Sequence, residues 1–437
     1  MITNDNKGMK CHSYYHFRIL FDNKELFMIT NDNKGINQGR AGDYVSQIGG
    51  YKAFVPKPLP PDPPIQLDRE MLLLLSQADM ALGRLDGMSA ILPNVDLFVA
   101  MYVNKEAVLS SQIEGTQASL IDVLAFEADA ALPGNPQDIE EVINYINALN
   151  FGLQRLNTLP LSLRLIREIH SLLLQGVKGA NRQPGEFRTS QNWIGHHGGT
   201  IGTARFVPPS PTNMNTALNN LETFINTEKT IPILLKVGLV HAHFETIHPF
   251  LDGNGRVGRL LITFILCYEG ILRKPLLYLS HFFKVHRSEY YRHLQKIRDD
   301  GDWETWLKFF LRGVYEVAQE ATTTASNIVQ LRELHRNIVA TQFPRLGGTY
   351  QLLEYLYQRP VITVNGAAKV TGLSYANANR LVMKFQEHGL LRQMDTYQRN
   401  RRFIYADYVD MFSDEEMSKD EHQRPSVLEE EKTEYFT

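Results

Sequence analysis

Ile247-His248-Pro249-Phe250-Leu251-Asp252-Gly253-Asn254-Gly255-Arg256-Val257-Gly258-Arg259 is the stretch on which the reading of this chain turns. Gly253-Asn254-Gly255 can take backbone angles closed to most residues, so successive N–H groups can converge on an anion. A helix starting near Arg256 brings its positive end to the same point. Arg256 and Arg259 are three apart and so are neighbours on one helical face. Two guanidiniums beside a nest of N–H groups suit a polyphosphate. Asp252 borders the nest. Phosphate would repel a lone carboxylate there unless a divalent cation lay between them, which implies Mg2+. His248 stands a few residues earlier, where an imidazole can take a proton from an attacking hydroxyl. A Gly-rich turn with surface arginines would explain any one of these residues. It does not explain all of them within twelve positions.

Working outward, the chain has 437 residues, with Lys+Arg 45 against Asp+Glu 48 and a net charge of -3. Hydrophobic residues are 43% and charged residues 21%. This balance excludes a disordered, collagen-like or disulfide-dense chain, and a uniformly basic nucleic-acid coat. It leaves room for one local basic module. The two cysteines, Cys11 and Cys267, point to a reducing cytoplasm, with Cys267 read as a buried thiol in the apolar run 260–268. The polar start is no signal peptide, and no apolar run approaches the roughly 20 residues of a membrane span. Met-Ile-Thr-Asn-Asp-Asn-Lys-Gly occurs at 1–8 and again at 28–35, so residues 1–45 read as peripheral, with Met28 a candidate start.

The prolines of 51–64 predict an extended strap. Period-3.6 patterning predicts a first helix from a cap region at Asp68, with Met71–Leu75, Ala78, Leu82 and Leu85 apolar, and further helices at 95–111, 119–131, 136–156 and 161–175. Residues 179–211, rich in Gly, Asn, Thr and Pro, predict a loop holding a small β-hairpin at 193–207. Helices resume at 212–227, 231–245, 256–269, 288–299 and 303–333. Residues 349–407 form a short basic unit, and the acidic tail beyond 410 reads as a solvated terminus.

The 247–259 stretch matches every defining position of the HxFx(D/E)GNxRxxR motif of the Fic family of protein adenylyltransferases. The likeness covers roughly residues 45–410. It implies a mainly α fold: a Fic-type helical core (157–312) with a β-hairpin flap, an N-terminal helical extension (46–156), a connecting helix (313–345), a C-terminal winged helix-turn-helix (346–409) and a tail (410–437). By the resemblance, His248 deprotonates a Ser, Thr or Tyr hydroxyl on a target protein, and Phe250 anchors the loop. Asp252 holds Mg2+ on the phosphates of ATP. Gly253, Asn254 and Gly255 cradle those phosphates, and Arg256 and Arg259 neutralise the β and γ groups. AMP is transferred, to the chain itself among other targets.

Ser110-Ser111-Gln112-Ile113-Glu114-Gly115 fits the family's [ST]xxxE[GN] inhibitory motif. The resemblance implies that Glu114 pairs with Arg259 in place of the γ-phosphate, while Ser110 steadies the helix. The target adds as a strand to the flap, whose nucleotide-side positions are Thr203, Ala204, Arg205 and Phe206. Tyr290, ranked first, and Tyr291 would line the adenosine pocket. Zinc is rejected, because His241 and His243 are two apart on a helix and face different sides, and His196 and His197 are read as exposed. In the C-terminal unit, Arg380 and Lys384 could face a DNA major groove, and Arg399, Arg401 and Arg402 its phosphates or minor groove. A protein-docking or dimerisation module stays open beside that reading. Two alternatives remain at the level of function: a hydrolase removing AMP through the same site, and a DNA-binding regulator that uses the core as a nucleotide sensor. A homodimer that releases Glu114 is a further expectation.

Overall fold

The computed structural model describes residues 39–92, 95–128, 135–177, 179–195, 198–344, 346–396 and 400–412. The octapeptide repeat, Cys11, His196, His197, Arg399 and the acidic tail from 413 lie outside them.

The chain enters through an antiparallel hairpin, β1 (Gly42–Ser46) and β2 (Lys52–Pro56). Part of it falls in the segment the sequence reading set aside. Its cause is tertiary: Phe54 is fully buried, packs against Phe206, and gives its N–H to the Val207 carbonyl at 2.9 Å. The Pro-rich strap follows, anchored by Arg40 forked onto Glu304 at 2.9–3.0 Å. The Gln66 N–H also reaches Glu304, at 2.9 Å.

Four helices make the N-terminal module: α1 (Arg69–Ile91), α2 (Val95–Ile113), α3 (Leu120–Glu127) and α4 (Pro136–Arg155). The next six are α5 (Leu163–Leu173), α6 (Pro211–Thr227), α7 (Ile233–Ile247), α8 (Asn254–Tyr268), α9 (Ser280–Val285) and α10 (Arg287–Asp300). The long α11 (Trp303–Gln342) packs along α1. Helix starts follow capping chemistry. Asp68, Ser119, Ser162, Ser210 and Asp302 each accept a bond from a backbone N–H three residues on. From Leu234 to Ile247 every residue of α7 is buried, which makes it the central helix. Trp306 of α11, itself fully buried, donates its indole N–H to the Gly238 carbonyl of α7 at 2.9 Å.

The C-terminal unit runs α12 (Thr349–Gln358), β3 (Val361–Thr363), α13 (Val364–Thr371), α14 (Tyr375–Glu387), β4 (Arg392–Gln393), β5 (Arg402–Ile404) and α15 (Ala406–Asp410). Its strands form one antiparallel sheet in the order β3-β5-β4. A hydroxyl chain seats it on the long helix: His335 Nδ1 meets Tyr405 Oη at 2.6 Å, and Tyr405 donates to Tyr357 Oη at 2.8 Å.

Two expectations need correction. The hairpin at 193–207 reduces to a single antiparallel bridge, Ile194 to Phe206, around a short 3-10 turn, Ile201–Thr203. Glycines at 195, 198 and 202 leave few side chains to pair across it. Helix α11 runs unbroken out of the core through the segment read as connecting, 313–345, and ends at Gln342. Cys267 is half-buried rather than fully enclosed.

Trp306→Phe keeps most of the ring volume but loses the indole donor. We expect a loss of about 1–2 kcal/mol of stability, read as a lower midpoint with an unchanged slope in urea unfolding.

Candidate active site

The site is built on the turn between α7 and α8. His248 caps α7 in the left-handed conformation, with φ 49° and ψ 60°. Gly253, at φ 77°, turns the chain back into α8. Between them Phe250 is fully buried and lies flat on the His170 imidazole, with centroids 3.7 Å apart and planes 7° off parallel. Asn254 clips the turn closed. Its Oδ1 accepts the Phe250 N–H at 2.8 Å and its Nδ2 donates to the Phe250 carbonyl at 2.9 Å. The Asn254 side chain is therefore committed to the loop, which leaves only its backbone to face an anion.

His170 supports the turn from below. Its Nδ1 accepts from the Gly185 N–H at 2.9 Å, so its Nε2 carries the proton and donates to the Asp252 carbonyl at 2.9 Å. Arg188 supports it from the side, donating to the His248 carbonyl at 3.0 Å. Sequence reasoning passed over both residues. A histidine in an amphipathic helix and an arginine in a Gly-Pro loop carry no local mark of these roles.

The N-terminus of α8 has no side-chain cap. Its first N–H groups are the ones the anion reading requires. Arg256, 3% exposed, has Nε and Nη1 without hydrogen-bond partners. Its nearest anions are Asp252 Oδ1 at 3.4 Å and Glu141 Oε2 at 3.7 Å. A buried guanidinium with vacant donors is costly unless an anion supplies the acceptors.

Arg259 is the opposite case. Its Nε donates to Ser110 Oγ at 2.8 Å, and its Nη2 to the Ser110 carbonyl at 2.9 Å and to Glu114 Oε1 at 2.6 Å. The expected pairing of Glu114 with Arg259 is thus present. Ser110 does more than steady a helix, since it supplies two of the acceptors. Burial would lower the basicity of Arg259, but the Glu114 carboxylate outweighs it and holds the guanidinium charged. A Cβ on Gly255 would collide with Glu114 Oε1, so the glycine opens the path by which the carboxylate enters. After Gly115 the chain is fastened to α4: Thr116 Oγ1 donates to Glu141 Oε2 at 2.8 Å, and the Gln117 N–H to Asp138 at 3.1 Å.

His248 is buried and its Nδ1 has no partner. Burial first, then the charges of Arg188 and Arg298, push its pKa down to about 3. The imidazole is therefore neutral at pH 7, the form a general base needs. Glu245, three residues earlier, is also buried with an unpartnered Oε1, and burial pushes it up to about 7. Asp252 takes the Gly253 N–H on Oδ1 at 2.6 Å, while its Oδ2 makes no hydrogen bond among the described residues. One open carboxylate oxygen fits the Mg2+ habit of one or two protein ligands with phosphate and water for the rest. Among the described residues no cluster of three or more His, Cys, Asp or Glu side chains could hold a metal by itself. His241 is committed on both sides, to the Gly258 carbonyl and the Tyr290 hydroxyl, each at 2.9 Å.

The remaining expected positions scatter. Tyr290 is 1% exposed, inside a cluster with Phe283 and Trp306, whereas Tyr291 is half-buried. Phe206 is buried under the Arg298 guanidinium, 3.7 Å from its ring centre, and belongs to the core side of the flap. Thr203 and Arg205 are exposed and Ala204 half-buried. In the C-terminal unit Arg402 does not face outward. It is 8% exposed and donates to Asp395 at 2.8 Å. Arg401 lies along α14 on Asn379, Lys384 pairs with Glu387, and Arg380 is exposed. No helix among the described residues is long and apolar enough to cross a membrane.

Comparison with known proteins adds two family matches: Fic/DOC family N-terminal over residues 72–154 and Fic/DOC family over 160–266. The chain is 31% identical over 208 residues to a protein adenylyltransferase Fic of Aedes aegypti, which is 45% of this chain and 37% of that one. It is 31% identical over 169 residues to the protein of the same name from Drosophila grimshawi, 38% of this chain and 30% of that one. The matches thus span about a third of the length of these relatives. A crystal structure of a Fic family protein from Desulfovibrio desulfuricans G20 shares the fold. Its TM-score is 0.51 at 18% identity, covering 78% of this chain and 97% of that one.

A histidine with a pKa near 3 holds no proton across the physiological range. The His248 ring signals in a two-dimensional NMR titration should stay flat from pH 8 down to about pH 5, where an ordinary histidine turns over near 6.5. A midpoint near 6.5 would contradict the assigned burial and charge environment.

Proposed function

This chain is a Fic-domain protein, and from that premise we propose that it transfers AMP from ATP to a Ser, Thr or Tyr hydroxyl of a protein, itself included, and that Glu114 holds the activity low. The observation that carries the reading is the pairing of vacancies in one turn. Arg256 keeps buried N–H groups without acceptors among the described residues, and His248 keeps a buried, neutral imidazole whose Nδ1 has no partner among them. The first suits phosphate and the second a hydroxyl proton. The names of the insect relatives support the same chemistry.

The polyphosphate lies across the N-terminus of α8, with Arg256 donating to its oxygens. The hydroxyl oxygen bonds to the α-phosphorus as the bond to the bridging oxygen breaks. Pyrophosphate leaves with the electron pair, and His248 takes the hydroxyl proton. Asp252 would hold Mg2+ through Oδ2, and the ion would supply charge neutralisation on the phosphates. The rest is positioning and electrostatics.

Glu114 occupies the donors of Arg259 that a γ-phosphate would use. A charge-assisted hydrogen bond contributes about 1.5–3 kcal/mol, which is roughly 10- to 100-fold in affinity. Glu114→Gly should therefore tighten ATP binding by about that factor in calorimetry.

The decisive assay uses ATP labelled at the α- or the γ-phosphate, with wild type, Glu114→Gly and His248→Ala in parallel with Mg2+. We expect strong α-label on protein for Glu114→Gly, little for wild type and none for His248→Ala. Transfer of γ-label alone would identify a kinase. Release of AMP from a modified protein, with no forward labelling, would identify the reverse reaction.

A further inference from the structure

Arg188 belongs to none of the motifs above, yet it is 1% exposed. Its guanidinium pairs with no carboxylate among the described residues. It spends its donors on backbone carbonyls: Nε on His248 at 3.0 Å, Nη1 on Ser190 at 3.2 Å, and Nη2 on Pro209 and on Ile247 at 3.4 Å. Its own N–H donates to the Pro249 carbonyl at 2.9 Å. These carbonyls come from two places. Ser190 and Pro209 are the two stems by which the flap leaves and rejoins the body. Ile247, His248 and Pro249 are the turn that presents the base.

Two amides lace the same elements together. Gln191 Nε2 donates to the Pro208 carbonyl at 2.8 Å, closing the stems on each other. Asn192 Nδ2 donates to the Phe250 carbonyl at 2.9 Å, tying the flap to the turn. Burial pushes the Arg188 pKa down to about 10, so the group stays charged at pH 7. Only a planar fork with five donors reaches acceptors on both sides at once. A lysine ammonium carries the same charge with three donors on one nitrogen and cannot.

We propose that Arg188 is a positioning residue that holds the flap stems and the His248 turn in one frame, so that a hydroxyl on a flap-docked chain meets the imidazole in register. The proposal rests on the adenylyl-transfer reading and adds to it a residue that touches neither nucleotide nor target. It separates two outcomes of attack on ATP. Transfer to a protein hydroxyl needs both flap and base in place. When water attacks the α-phosphorus instead, its oxygen forms the new bond, pyrophosphate leaves, the proton goes to His248 and free AMP results. Water needs no docking on the flap. Loosening the frame therefore lowers transfer more than hydrolysis, while a general loss of folding lowers both together.

The test is made on the full chain carrying Glu114→Gly, alone and combined with Arg188→Lys or Asn192→Ala. Label from α-labelled ATP is counted on protein and as free AMP in the same reaction. ATP affinity is measured by calorimetry. Hydrogen exchange is followed at 191–195 and 248–250. For Arg188→Lys we expect the ratio of protein label to free AMP to fall on the order of tenfold to a hundredfold. ATP affinity should stay within about twofold of the parent, and exchange should rise in both segments together. Asn192→Ala, a milder change at a half-buried position, should move the same ratio in the same direction and decides the matter if Arg188→Lys does not fold. An unchanged ratio, or exchange that rises in one segment only, overturns the proposal. A parent inactive in both assays, with exchange still coupled in Arg188→Lys, sinks the adenylyl-transfer reading and leaves the frame standing.

Discussion

His248 must leave a fully buried helix through a left-handed backbone conformation, and the geometry of the site depends on that turn. A non-glycine residue at such angles costs of order 1–3 kcal/mol and persists only where its surroundings hold it. Here they hold it from three sides. Asn254 closes the loop on Phe250, His170 stacks beneath Phe250 and grips the Asp252 carbonyl, and Arg188 takes the carbonyls of Ile247 and His248. With the turn held, α8 starts at a set place, so the uncapped N–H groups and both arginines share one origin. The places of the imidazole, the uncapped N–H groups and the carboxylate of Asp252 are then consequences of a single backbone path.

Electrostatics divides the two arginines between different jobs. Both are buried, so each needs anionic or carbonyl acceptors to offset lost hydration. Arg259 finds them within the protein, on Ser110 and Glu114. Arg256 has only longer approaches to Asp252 and Glu141, and two of its nitrogens stay unmatched. Glu114 reaches its place because α2 ends there and the chain behind it is pinned to α4 through Thr116 and Glu141. The N-terminal module thus acts on the core as a source of charge as well as of packing. The C-terminal unit leans on the same helix from outside, where α12 packs on α2 and Phe412 lies edge-on to Tyr102.

Local sequence carried a good deal of this. The 247–259 stretch set out by residue type and spacing the groups that the fold gathers in one turn, namely an imidazole, a carboxylate and two arginines. Ser110 to Gly115 announced the carboxylate that meets Arg259. Helix starts near Asp68 and Ser119 were legible because a capping side chain acts within three residues of its own position. Where local sequence left a placement open, the deciding contact lay outside its immediate neighbourhood. Strand β1 depends on Phe54 meeting Phe206, and Tyr290 is drawn into the core by His241 and an aromatic cluster. Arg402 turns inward to Asp395 across the sheet rather than out to solvent.

The sequence by itself determined what chemistry this protein can offer, because residue types and helical spacing set which groups share a face. Only the tertiary structure decided which of those groups are spent and which remain open. Asn254 reads as a phosphate cradle, yet its side chain is consumed by Phe250. Arg188 reads as nothing at all, yet it joins segments some 20 to 60 residues apart in sequence. The physical reason is that a buried polar group is defined by its partners. Those partners are brought by helices whose order along the chain does not reveal their order in space.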